Sequence, residues 1–277
     1  MKSLLTIIII NFIFSQGNYQ ILSTPSNFET FFKINNLNQN QNYSVFNISF
    51  PSDINLFSIK LSNSLFKHQN KYDFTITNLN YGDLSDFQND YQFTANESTI
   101  KFGLYKNINR LSMLFNLGYV RSNIDVYQAE AIYIDFDLFM PLFKHHNLGL
   151  SFKNFGIELN SYLSASTQLP ETIRLSYILD SLPIPIIIYT VYENRIDYNN
   201  EVLFLTLQLD INKNVNLYFS NRSDRANLFS GDYIDKLISG MSTGISYKNS
   251  SHNFSLGIQN LGASGYSTAI NFSKIIL

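Results

Sequence analysis

The stretch Ile132-Tyr133-Ile134-Asp135-Phe136-Asp137-Leu138-Phe139-Met140 decides the fold class. Successive side chains of an extended strand point to opposite faces. Ile132, Ile134, Phe136, Leu138 and Met140 therefore share one face, while Tyr133, Asp135, Asp137 and Phe139 share the other. A strand that separates lipid from a wet lumen has to alternate in this way.

The pattern recurs along the chain. Phe74 and Ile76 alternate with Asp73, Thr75 and Thr77, and Ile100, Phe102 and Leu104 with Lys101 and Gly103. Leu148, Leu150 and Phe152 alternate with Gly149, Ser151 and Lys153, and Ile173, Leu175 and Tyr177 with Arg174 and Ser176. Val215, Leu217 and Phe219 follow against Asn216, Tyr218 and Ser220, then Phe254, Leu256 and Ile258 against Ser255, Gly257 and Gln259. No charge falls on the apolar face of these segments. A Lys or Arg there would cost about 2 to 4 kcal/mol at the middle of a bilayer, which is a physical reason for the absence.

Fourteen such segments begin near Tyr43, Ile54, Tyr72, Ser98, Leu111, Ala131, Asn147, Thr172, Ile184, Val202, Asn214, Ile238, His252 and Ser267. The expected fold is all-β: a transmembrane antiparallel β-barrel of about 14 strands over residues 43–277, an even count suiting a closed bacterial barrel. Most segments are about 8 residues long, slightly below the roughly 9 to 11 of a tilted spanning strand. Two fit poorly: Ile184 to Tyr192 is almost continuously apolar, and Val202 and Phe204 share a face with Thr206 and Gln208.

Connections alternate as well, since barrels of this kind pair short periplasmic turns with longer external loops. Asn80 to Glu97, Arg121 to Glu130, Phe155 to Glu171, Glu193 to Glu201 and Asn221 to Leu237 are the longer ones, placed outside. Lys106 to Arg110, Pro141 to His146, Asp180 to Pro183, Asp210 to Lys213 and Lys248 to Ser251 are short. The first hairpin breaks the rule, because Pro51 to Asp53 is very short on the outer side.

Composition agrees. Apolar residues make up 45% and aromatics 15%, with 24 Phe, 18 Tyr and no Trp. Charged residues reach 14%, well below the roughly 25% that a water-exposed surface normally carries. With 19 basic and 21 acidic residues there is no basic excess for nucleic acid. Residues 1–17 read as a secretory signal, with Lys2 ahead of an apolar run from Leu4 to Phe14 and then Ser15-Gln16-Gly17. The expected location is the outer membrane of a Gram-negative-type bacterium after cleavage, with outer-membrane lipid as partner of the apolar faces. Residues 18–42, rich in Asn and Gln, are an N-terminal plug or a periplasmic segment. The chain has no Cys, which removes disulfides, thiolate metal sites and Cys nucleophiles.

Candidate chemistry is sparse, and no cofactor or metal is expected. A barrel hydrolase with His and Ser two apart on one strand face is not encoded, because Asn70, Asn147, Leu148 and Phe254 follow His68, His145, His146 and His252 at that spacing. The carboxylates of Asp135 and Asp137, about 7 Å apart on one face, suit a metal or acid pair. The reading taken is an inward pair facing Lys101, Lys153 or Arg174 across a narrow lumen, and these five are the lumen-facing binding candidates. Asp83, Asp86 and Asp90 lie in an external loop without calcium-loop spacing. Asn-x-Ser/Thr sequons such as Asn96-Glu97-Ser98 reflect the abundance of Asn.

Two stretches look alike: Leu150-Ser151-Phe152-Lys153-Asn154-Phe155-Gly156 and Leu256-Gly257-Ile258-Gln259-Asn260-Leu261-Gly262, each read as a strand end. With Leu79-Asn80-Tyr81-Gly82, Phe93-Thr94-Ala95-Asn96-Glu97 and Leu169-Pro170-Glu171-Thr172-Ile173-Arg174-Leu175-Ser176-Tyr177, they make the chain resemble the PorV/PorQ family of type IX secretion barrels, nearer PorQ. These are relatives of the FadL fatty-acid channel fold. The resemblance covers roughly residue 42 to the C-terminus. It lacks the Asn-Pro-Ala block before the first strand, and the last strand ends in Leu277 rather than an aromatic residue. It implies a FadL-like, non-enzymatic barrel accessory to type IX secretion or surface attachment, with other secretion or attachment proteins as partners. A FadL-like conduit for hydrophobic small molecules is the alternative, for which inward Phe139 and Phe204 speak.

Overall fold

Fourteen strands form, and each hydrogen-bonds antiparallel to the next until the last returns to the first. The computed structural model describes residues 19–23, 43–64, 70–86, 91–162, 169–180, 184–196, 200–224 and 238–274. In chain order the strands are β1 (Tyr43–Ser49), β2 (Asn55–Ser64), β3 (Asn70–Asp86), β4 (Tyr91–Ile108) and β5 (Leu111–Ile124). Then come β6 (Tyr127–Phe143), β7 (His146–Asn160), β8 (Thr172–Leu179), β9 (Ile186–Arg195) and β10 (Asn200–Asp210). β11 (Val215–Arg222), β12 (Ser242–Lys248), β13 (His252–Asn260) and β14 (Tyr266–Lys274) complete the wall. Closure leaves no edge in the spanning region, as a bilayer requires of backbone that cannot bond to water. No described helix is long and apolar enough to cross a membrane. The signal segment 1–17 and the C-terminal Leu277 lie outside the described residues.

The alternation read from the sequence is the alternation of the wall. Ile132 and Ile134 on β6, Phe115 and Leu117 on β5, Leu203, Leu205 and Leu207 on β10, and Phe254, Leu256 and Ile258 on β13 point outward and are exposed. Their strand neighbours Asn116, Asp135, Thr206, Gln208, Asn253, Ser255 and Gln259 are buried inside. The two poorly alternating segments belong to the wall as well. Val202, Phe204, Thr206 and Gln208 all face inward and are at most 5% exposed, because this part of the lumen is apolar at one end and polar at the other.

The wall is not of even height. Strands β3 to β7 run 14 to 18 residues, whereas β8 to β14 run 7 to 11. This corrects the strand lengths and three of the external loops. The region Arg121 to Glu130, read as a loop, is the top of a β5–β6 hairpin closed at Asp125 (φ 54°) and Val126. β3 continues to Asp86 and β7 to Asn160, through stretches also read as loop. The first hairpin is a genuine tight turn, with Ser52 and Asp53 both at positive φ, so the strand count needs no adjustment there.

The physical reason these extensions escape a search for apolar outward faces is that the faces exchange character along the tall strands. On β5, Phe115 and Leu117 face out, but two and four residues past Tyr119 the outward positions are Arg121 and Asn123. On β6 the paired outward residues are Glu130 and Gln128. Hydrogen bonds from Arg121 to Gln128 (2.7 Å), Asn123 to Asn96 (3.1 Å) and Asn78 to Ser98 (2.9 Å) tie this collar together. Inside it, Val120, Ala129, Ala131, Tyr133, Leu79, Tyr81 and Ala95 are buried in a hydrophobic cluster. Below the collar the strand is apolar outside and polar inside; within it the outside is polar, and the inside mixes apolar residues with buried Glu97, Thr99 and Ser122.

Close packing inside that cluster demands a glycine. A Cβ on Gly118 would sit 2.2 Å from the ring of Tyr133, the residue opposite it on β6, which is 3% exposed. Gly118→Ala is expected to destabilise the barrel by about 1 to 3 kcal/mol. In a Tyr133→Ala background the same substitution should cost almost nothing further. Urea unfolding in lipid vesicles, followed as a double-mutant cycle, checks both values.

Candidate functional site

Two charged networks and one short N-terminal segment occupy the lumen. The first network grows from Asp135 and Asp137, which β6 projects inward two residues apart. Lys153 on β7 lies 2.6 Å from Asp137 and 4.0 Å from Asp135, and Lys101 on β4 lies 3.4 Å from Asp135. Ser151 adds a 2.6 Å hydrogen bond to Asp137. Buried carboxylates need such partners, since an unpaired charge taken from water costs several kcal/mol.

Asn154 connects this network to the rest of the lumen. It sits at a break in the β6–β7 register with φ 61°, a left-handed conformation that Asn tolerates better than most side chains. Its backbone N–H donates to Asp135 (2.9 Å), and its amide nitrogen donates to the carbonyls of Pro170 (2.9 Å) and Leu22 (3.1 Å). The motif Lys153-Asn154-Phe155-Gly156 is therefore a bulge inside β7 and does not end the strand. The matching Asn260 does end β13, where its side chain accepts from the N–H of Gly262 at 2.7 Å.

Arg174 stands opposite Ser151 across the β7–β8 pair and reaches a further carboxylate. It faces Glu193 across the β8–β9 pair, with its Nε 2.7 Å from the carboxylate, and Arg195 holds the other oxygen at 2.9 Å. Glu193 is 0% exposed, and a guanidinium bonds each of its two oxygens, so the buried carboxylate is not left unpaired. Thus Lys101, Asp135, Asp137 and Lys153 come together, and Arg174 also bonds Glu193, which it shares with Arg195, two residues that sequence reasoning missed. Their signal was available: Tyr189, Val191, Glu193 and Arg195 continue one inward face, but Glu193 had been assigned to the following loop.

Above these networks lies a turn of 3₁₀ helix, Gln20–Ser23, packed on β3 and β4. The Glu97 carboxylate accepts the backbone N–H groups of Gln20 (3.1 Å) and Ile21 (2.6 Å) and the hydroxyl of Tyr81 (3.0 Å). The Tyr19 hydroxyl donates to Glu158 at 3.1 Å. Burial, reinforced by that carboxylate, holds the Tyr19 phenol well above its ordinary pKa, so it remains a donor. Burial does the same to Tyr162, whose hydroxyl donates to Ser122 at 2.5 Å. Tyr19 is 1% and Ile21 6% exposed, and both belong to the cluster of Val120, Ala129, Leu79 and Leu169. None of Tyr19, Tyr81, Glu97 and Glu158 was singled out from sequence.

The passages Leu79–Gly82, Phe93–Glu97, Lys153–Gly156 and Leu169–Thr172 meet here. Tyr81, Glu97, Asn154, Leu169 and Pro170 all surround residues 19–22.

A separate apolar patch lies against β8 to β10. Ile178, Tyr189, Val191, Val202 and Phe204 are buried together, with Phe139 and Ile187 against them. The two inward phenylalanines noted in the sequence thus border one apolar patch, and Arg222 stands 5.6 Å over the Phe204 ring. β12 to β14 present a neutral wall that includes Ser246, Asn253, Ser255, Gln259 and Asn271.

Outside the lumen the chemistry is slight. His146 bonds the Tyr177 hydroxyl at 2.6 Å and His145 lies 3.7 Å from Asp180, while His68 is outside the described residues. Asp83 and Asp86 are in β3, not in a loop, and Asp90 is outside the described residues. A cleft of about 480 Å³ at the rim is lined by Asp53, Asn80, Asp83 and Asn96. Among the described residues no group of three or more metal-ligating side chains is assembled.

Comparison with known proteins identifies the architecture. The chain is similar to the Pseudomonas putida toluene transporter TodX, with a TM-score of 0.53 and 8% identity over 95% of this chain and 92% of that one. The fold is that of Gram-negative outer-membrane barrels. A deltaS2 mutant of the TodX monoaromatic hydrocarbon channel matches at 0.50, with 9% identity over 85% and 89% of the two chains. The Acinetobacter baumannii outer membrane protein Omp33 matches at 0.48, with 9% identity over 85% and 98%. No family model and no curated protein sequence matches the chain.

The anchoring of residues 19–22 can be tested directly, since the chain has no native thiol. Ile21→Cys in the otherwise unchanged full chain is expected to resist a water-soluble maleimide. Adding Glu97→Ala removes the acceptor of two backbone N–H groups, and labelling should then become rapid. Equal labelling with and without Glu97→Ala would contradict the anchoring role of this carboxylate.

Proposed function

We propose that this barrel is a plugged, non-enzymatic platform in the outer membrane, with lipid around its apolar band, that holds other polypeptides at the cell surface. The role would be accessory to secretion of the type IX kind or to surface attachment. One observation carries the reading. Four of the passages behind the PorV/PorQ resemblance, around Tyr81, Glu97, Asn154 and Leu169, surround Tyr19–Leu22, and such packing supports a filled lumen. Packed side chains suit a stable docking body, and the tall β3–β7 wall supplies surface beyond the short rim of the other strands.

A second reading has an observation of its own. The patch of Phe204, Val202, Val191 and Tyr189 offers an apolar surface inside the barrel, and TodX, which shares the fold, is a toluene transporter by title. On this reading the chain conducts hydrophobic small molecules.

Isolation of the tagged full-length protein from the outer membrane separates the two. The platform reading expects co-purifying secretion or attachment proteins, a closed barrel in planar-bilayer recordings, and unchanged toluene uptake on deletion. Uptake loss on deletion with no secretion component recovered would overturn it and favour the conduit.

A further inference from the structure

The rim formed by the short turns carries cations that the barrel itself does not use. Lys106 and Arg110 flank the β4–β5 turn, Lys144 stands in the β6–β7 turn, Lys213 in the β10–β11 turn, Lys248 opens the β12–β13 turn and Lys274 ends β14. Among the described residues no carboxylate pairs with any of them. The carboxylates described beside these turns are engaged elsewhere. Asp180 accepts from Asn147 at 3.2 Å and lies 3.7 Å from His145, and Asp210 accepts from Gln208 at 2.6 Å. The opposite rim has the other sign. Asp53, Asp83, Asp86 and Asp125 lie at or near its hairpin ends, and the arginines there are tied to Gln128, Glu193 and Asp224.

The cations stand beside apolar side chains that are exposed. Phe143 is 74% exposed next to Lys144, and Ile211 is 53% exposed near Lys213. Ile108 lies exposed between Lys106 and Arg110, and Tyr247 beside Lys248. Lys106 and Ile108 continue the outward face of Ile100, Phe102 and Leu104, as Tyr247 continues that of Ile245 and Lys274 that of Ile270. They mark the lower margin of the apolar band, on the side that faces lipid. A long basic side chain at such a margin keeps its stem in the apolar layer and its charge among the headgroups.

We propose that this rim binds anionic phospholipid of the leaflet on the short-turn side, each cation taking a headgroup phosphate and its apolar neighbour the acyl chains. The arrangement selects a leaflet over a protein. The cations follow β4, β6, β10, β12 and β14 of a closed wall, so they encircle the barrel. A docked protein asks for charge gathered on one side, whereas a leaflet surrounds the barrel at one height. Anionic headgroups attract Lys and Arg within a Debye length, about 8 Å at physiological salt. The same lipids repel the acidic opposite rim, so the binding fixes both the height and the direction in which the barrel sits. It holds for a platform and for a conduit alike.

The test places one fluorophore in the cysteine-free full chain, at Ile108→Cys between two of the cations or at Ile211→Cys across the barrel. Tyr119→Cys, at the other margin of the band, is the control. The protein is reconstituted in phosphatidylcholine vesicles that hold, in both leaflets, the same small fraction of either phosphatidylglycerol or phosphatidylcholine brominated close to the headgroup. Quenching at residues 108 and 211 is expected to correspond to at least about a fivefold local enrichment of the phosphatidylglycerol, the effect of one cation near an anionic surface, with none at 119. The enrichment should vanish in 1 M NaCl, where screening acts over about 3 Å. It should also vanish at 108 in Lys106→Gln/Arg110→Gln and at 211 in Lys213→Gln. The salt arm needs no variant beyond the label, so a glutamine variant that fails to fold leaves the test intact. Equal quenching by the two lipids would overturn the proposal and leave an acidic protein as the partner of these cations. Enrichment at 108 alone, equal enrichment at 119, or enrichment that survives 1 M NaCl would each overturn it too. So would sodium phosphate that abolishes the effect where NaCl of equal ionic strength does not, since the site would then take free phosphate and not a lipid headgroup.

Discussion

A strand has two faces, and the medium on each side decides what that face carries. In this chain the constraint acts twice on the same strands. Where lipid is expected outside, isoleucine, leucine and phenylalanine point out, and serine, asparagine and charged side chains point in. Past Tyr119 and Ile132 arginine, asparagine and glutamate take the outward positions, as water on that side would require. Alternation is conserved through the change, because period 2 is a property of the backbone, while the sign of the alternation belongs to the surroundings.

That change of sign gives the barrel an inside worth filling. At and above the top of the band the inward positions include Val120, Ala129, Ala131 and Tyr133, which need apolar partners as any core does. Tyr19, Ile21 and Leu22 supply them from the N-terminal side of the chain, held by hydrogen bonds to Glu97, Glu158 and Asn154. Lower down, the lumen keeps its polar character, and each buried carboxylate finds a cation: Asp135 and Asp137 with Lys101 and Lys153, Glu193 with Arg174 and Arg195.

Much of this was legible in the sequence, and what was missed has a common cause. Asp135 and Asp137 could be placed because their strand is regular over nine residues, from Ile132 to Met140. The starts at Tyr43, Leu111, Thr172 and His252 coincide with those of the strands. That Glu193 points inward is legible from the alternation of β9, but that it faces Arg174 depends on register across β8 and β9, which a single strand does not carry. Glu97 and Tyr81 are not legible as an anchoring site, because the outward apolar residues that mark these strands give way there to Asn96 and Asn80. The bulge at Asn154 hid in the same manner: its Asn-x-Gly pattern matches that of Asn260, which really does end a strand.

The outward face of one continuous strand changes from apolar to polar at a fixed height, and β5 offers the direct measurement. Single cysteines placed at the outward positions Phe115, Leu117, Tyr119, Arg121 and Asn123, each carrying a fluorophore, can be read in vesicles containing brominated lipid. The account predicts strong quenching at Leu117 that falls through Tyr119 and is gone at Arg121 and Asn123. Quenching that persists undiminished to Asn123 would place the collar within the lipid and contradict it.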